Sequence, residues 1–207
     1  MLAKTYPYRL REVYARALRE KSWSASNIVE AIASSQLPRS RKIDDLMLGV
    51  ETSFGWTAAL KQLRKVDEQL ASRLVVEGVR NGKELKLREI VGFANEWRID
   101  ELWNLLLERT KSADVGERLW SVFSVRRQGR SKNLFAGQKR YLLTMLDDAT
   151  PAPDQKNNDE HNLQCYSVQN LAARVIGEQL GLPKAPMPRY SAEKWAVYRD
   201  VARKAIT

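Results

Sequence analysis

The chain has 207 residues, 43% of them hydrophobic and 29% charged, with six Trp and a net charge of +10. That length can bury one comfortable core or two small ones, and no apolar run approaches the roughly 18–20 residues that span a bilayer. A single Cys (Cys165) and a single His (His161) exclude an internal disulfide and the usual Cys- or His-paired metal sites.

Helical periodicity runs through almost the whole chain. The N-terminal stretch mixes charged and apolar residues from Arg9 onward, which lacks the apolar core of a signal peptide and points to an intracellular, cytoplasmic protein. A first helix, with Pro7 near its start, would bury Leu10, Val13, Tyr14, Ala17 and Leu18. Ser24 or Ser26 can cap a second helix that ends near Ser34, before Pro38. A third is expected over residues 41–50. A long fourth helix is expected from Thr57 to Asn81-Gly82, with Leu60, Leu63, Val66, Leu70 and Leu74 on one seam.

Leu87, Ile90, Val91, Ala94 and Trp97 share the face of the next helix. Asp100 is a candidate N-cap for the one through Leu102, Trp103, Leu106 and Leu107. Asp114 can cap another, with Val115, Leu119, Val122 and Phe123 inward. Helicity resumes from about Leu134 to Leu146. Ser167 caps a helix closed by Gly181, the proline-containing linker at 182–189 is extended, and Ser191 caps the last helix, with Trp195, Tyr198 and Ala202 inward.

The expected fold is therefore all-α, an irregular bundle of roughly nine or ten helices with no significant sheet. Residues 1–148 form the expected main body and 149–162 a flexible acidic loop. Residues 163–207 form a C-terminal helical unit that can share the same core.

Charge is unevenly placed. Residues 118–146 carry seven Lys or Arg and no acid, and 147–162 carry five acids against one Lys. Within the first stretch, Arg126 and Arg127 end one helix, Arg130 and Lys132 lie in the connection, and Lys139 and Arg140 lie on the next helix. Cations at intervals, with Gly129 allowing close approach, suit a phosphate backbone. Phe135 and Tyr141 supply rings that could stack on unpaired bases. The competing reading is a solvated helical hairpin whose arginines cap a helix end.

A second basic corner is Arg39, Arg41 and Lys42, at the start of the third helix. With the helix before it, the corner outlines a helix-turn-helix. Against this, Ile43, Leu46, Met47 and Leu48 leave little polar face for reading bases. Basic residues also gather at both ends of the chain. Residues 1–22 and 184–207 each carry a net +4.

Chemistry-bearing constellations are absent from the pattern. Cys165 and His161 border a polar stretch with no third orienting group, and read as incidental. Asp44/Asp45, Asp100/Glu101 and Asp147/Asp148 point in different directions on a helix, as solvated or capping acids do. The expectation is a non-catalytic nucleic-acid-binding protein (DNA or RNA) without cofactor or metal, acting alone or beside other protein subunits and away from membranes. The alternatives are a helical adaptor meeting an acidic protein, and a sequence-specific helix-turn-helix DNA regulator.

Overall fold

A computed structural model describes residues 9–52, 54–83, 85–126, 134–154 and 162–207. Among these residues there is no strand. The described residues form eleven α-helices, not nine or ten. The chain divides into two compact units, Met1–Glu84 and Leu85–Thr207.

The first unit contains α1 (Leu10–Arg19), α2 (Ser24–Ser34), α3 (Arg39–Val50), α4 (Trp56–Val66) and α5 (Glu68–Arg80). α4 is its centre and packs on α2, α3 and α5. α1 buries Leu10, Tyr14, Ala17 and Leu18 as its periodicity requires, whereas Val13 is half exposed.

The long helix expected over 57–81 is two helices, and this break accounts for the higher count. Asp67 leaves helical geometry (φ −151°, ψ 95°), and its side chain accepts a hydrogen bond from the Leu70 N–H at 3.0 Å. An Asp N-cap satisfies one of the orphan donors of a new first turn. Beyond the break the buried face changes from Leu60 and Leu63 to Ala71, Val75, Val76 and Val79. α5 ends at Asn81-Gly82 as expected, with Gly82 at φ +79°.

The second unit contains α6 (Leu87–Trp97), α7 (Asp100–Thr110), α8 (Val115–Val125), α9 (Ala136–Leu146), a short 3-10 turn at Leu163–Cys165, α10 (Val168–Leu180) and α11 (Ala192–Ile206). α8 packs on α6 and α10, while α10 also meets α9 and α11. The C-terminal helices thus rest on α8 and α9, and the division between units falls at 84/85, far from the 149–162 segment.

Asp114, Ser167 and Ser191 each cap a helix through their side chains, accepting from Glu117, Asn170 and Lys194. Asp100 does not; it is the first residue of α7, and Ile99 occupies the cap position. Gly181 closes α10 in left-handed geometry (φ +73°). Among the described residues no helix is long and apolar enough to cross a membrane.

Candidate nucleic-acid interface

The basic stretch sits where α8 ends and α9 begins. Arg118 Nη1 lies 2.6 Å from Asp148 Oδ2, and the hydroxyls of Ser121 and Tyr141 are 2.5 Å apart. As the position on α8 rises the partner on α9 falls, so the two helices run antiparallel. The residues joining them, including Arg127, Arg130 and Lys132, lie outside the described residues.

Arg126 follows α8 and is 43% exposed. Its Nε lies 2.7 Å from Glu178 Oε2, and its guanidinium stands over the Phe123 ring, 5.4 Å from the centroid. Glu178 also holds Arg174, at 2.9 Å. The positive charge of Arg126 is therefore shared with α10.

Lys139 and Arg140 differ from it. Lys139 is half-buried and Arg140 exposed, both near the N-terminal end of α9, and neither side chain has an ion-pair partner among the described residues. They line an open hollow of about 490 Å³ together with Leu143, Asp147 and Thr207. Asp147 is itself paired with Arg203 at 2.6 Å, so the acid that lines the hollow with these two cations already has a partner.

At the second corner the cations are engaged. Arg39 donates to Val66 O at 3.2 Å and pairs with Asp67 at 2.7 Å. Lys42 Nζ donates to Ala33 O at 3.0 Å. Arg41 Nε lies 3.4 Å from Asp45, which is only 1% exposed and also receives Arg11 Nη1 at 2.9 Å. Asp45, read from the sequence as a solvated acid, is a buried hub binding α1 to α3. These contacts stitch the unit together. A buried carboxylate needs such partners to remain charged.

The aromatic side chains are arranged differently from the sequence reading. Tyr141 is fully buried against Trp103, and burial pushes its phenol up to about 12 despite the bond to Ser121. It cannot stack on a base. Phe135 is half-buried with the Arg98 guanidinium 4.8 Å from its centroid. Phe123, expected inward, is half-buried beneath Trp120, which is 42% exposed.

Trp120 is the residue the sequence reading overlooked. Its signal was position: it lies one residue past the inward Leu119, off the buried stripe. In the other unit Trp56 is buried, while Trp23 is 87% exposed with its ring edge-on to Phe54.

Cys165 is buried, and His161 lies outside the described residues. Just before the acidic loop Asp148 binds Arg118, and within the loop the Asp154 N–H donates to Gln164 O; residues 155–161 lie outside the described residues. Among the described residues no group of three or more His, Cys, Asp or Glu is placed to hold a metal ion. Compared with protein-family models, curated proteins and solved structures, the chain matches none.

Proposed function

We propose that the chain is a non-catalytic nucleic-acid-binding protein whose contacts are mainly to phosphates, acting alone or as a helical subunit of a nucleoprotein complex. The observation that carries this reading is the pair Lys139 and Arg140. They are adjacent cations without an ion-pair partner among the described residues, on the helix that follows an acid-free basic stretch. Arg126, Arg127, Arg130 and Lys132 would continue the surface. Phosphates bound there would release counterions, which makes the affinity steeply salt-dependent. The corner at Arg39, Arg41 and Lys42 contributes less, because each of its cations already holds a protein oxygen.

Binding of single- and double-stranded DNA and RNA at two salt concentrations tests the proposal, with wild type set beside an Arg126/Arg127/Arg130/Lys132 variant changed to Ala. Loss of affinity in the variant supports the assignment. Equal binding by both proteins removes it.

A second reading, as an adaptor, is favoured by one feature. An apolar groove of about 860 Å³ runs between the 183–187 linker and α11, with Met187, Val197 and Val201 along it and Lys184 and Lys194 beside Glu193. Its size falls in the usual range for binding clefts. An amphipathic segment with acidic flanks fits this apolar strip and its two lysines. Under this reading Val197→Glu leaves oligonucleotide affinity unchanged. A drop in that affinity would place nucleic acid in the groove instead.

A further inference from the structure

A phosphate-binding surface does not by itself distinguish a duplex from a single strand. The distinction depends on whether anything beside the cations can receive a base. A duplex keeps its bases stacked on each other, whereas a single strand offers open π-faces to exposed aromatic side chains.

α8 carries such a side chain. Trp120, Phe123 and Arg126 follow one another at three-residue spacing and so share one helix face. Trp120 meets Phe123 edge-on, with centroids 6.0 Å apart and planes at 85°. No ring among the described residues lies parallel to the indole. Trp120 also borders a small hollow of about 190 Å³ lined by Lys86, Leu87, Arg88 and Glu117. Lys86 and Arg88 are exposed, and neither side chain pairs with an acid among the described residues. The hollow is too small for the usual ligand cleft of roughly 300–1,000 Å³. A single flat ring is the kind of group it suits.

We infer that this face is a base-stacking subsite for single-stranded nucleic acid. Trp120 receives one unpaired base, and Lys86 and Arg88 meet the phosphates on one side of it. The strand continues past Phe123 and Arg126. Among the described residues Glu117 is the one carboxylate lining the hollow; it repels phosphate, which favours a base there and phosphates at the rim. The inference rests on the nucleic-acid reading above, and adds the class of strand and the residue that selects it.

The test separates the two ideas. Fluorescence anisotropy compares a labelled short oligothymidylate with an abasic strand carrying the same number of phosphates, in wild type, Trp120→Ala and Trp120→Phe. Wild type is expected to prefer the oligothymidylate by roughly tenfold, the size of one aromatic–base stack. Trp120→Ala should abolish that preference while leaving abasic binding and the circular dichroism spectrum unchanged, and Trp120→Phe should keep most of it. Measurable but equal binding of both strands by wild type overturns the stacking subsite and leaves the phosphate surface standing. Binding of neither strand overturns both. A preference that survives in Trp120→Ala also overturns the assignment to this residue.

Discussion

Arg126 and Glu178 lie 2.7 Å apart, Nε to Oε2, so this cation of the basic stretch is tied to α10. A phosphate approaching it must compete with a carboxylate. Glu178→Gln removes that competitor and should tighten oligonucleotide binding at low salt by up to about fivefold, matching the ~0.2–1 kcal/mol of a partly exposed pair. Anisotropy titration reads this directly. An unchanged affinity would exclude Arg126 from the contact surface.

The corner at α3 should behave as a structural device. Arg11→Ala leaves the buried Asp45 with only the 3.4 Å contact to Arg41, and should cost about 1–3 kcal/mol in urea denaturation. Arg41→Ala, which leaves the shorter contact in place, should cost under about 1 kcal/mol. Neither should alter oligonucleotide affinity. A large affinity loss in Arg41→Ala would restore base reading by this corner.

Two buried tyrosines should respond oppositely to loss of their hydroxyls. The Tyr14 hydroxyl is buried without a hydrogen-bond partner, so Tyr14→Phe should be neutral or stabilising by up to about 1 kcal/mol. Tyr141→Phe removes the bond to Ser121 and should cost about 1 kcal/mol. Denaturant midpoints compare the pair, and similar losses in both would contradict the contrast.

The same two phenols set a response to alkali. Burial raises both from 10.0 to about 12, so the folded state holds these protons where the unfolded chain has lost them. Their contribution is complete below pH 10 and is lost progressively as pH rises toward 12. Thermal melts between these limits should show falling stability, with a smaller fall in Tyr14→Phe. An identical fall in that variant would contradict the assignment.

Gly137, near the start of α9, lies against Trp103, and a Cβ there would collide with the indole Cγ and Cδ1 and crowd the Trp103 Cβ. Trp103 is fully buried. Gly137→Ala should therefore cost about 1–3 kcal/mol by overpacking, read as a lowered urea midpoint. A neutral result would mean that α9 can shift away from α7.

The all-α class was legible because apolar spacing alone marks Leu87, Ile90, Val91, Ala94 and Trp97 as one buried face, and all are buried. The break at Asp67 was not, since Leu60 to Leu74 keep an unbroken period and neither Gly nor Pro interrupts them. Only a local hydrogen bond and a changed partner face divide α4 from α5. At the site, charge was legible but its engagement was not. Arg39 and Arg140 look alike in sequence, yet Arg39 holds Asp67 across 28 positions and Arg140 holds no acid among the described residues. Long-range pairing of this kind leaves no local pattern. Tyr141 and Trp120 show the same limit, since helix phase determines which ring faces solvent.

The salt dependence of oligonucleotide binding by Lys139→Ala/Arg140→Ala tests the central claim most directly. If both cations neutralise phosphates, the double variant binds more weakly across all sequences. Its log K against log salt slope then falls in magnitude by roughly 1.4 on a single strand, about 0.7 for each lost contact. A slope and affinity equal to those of wild type would contradict the account.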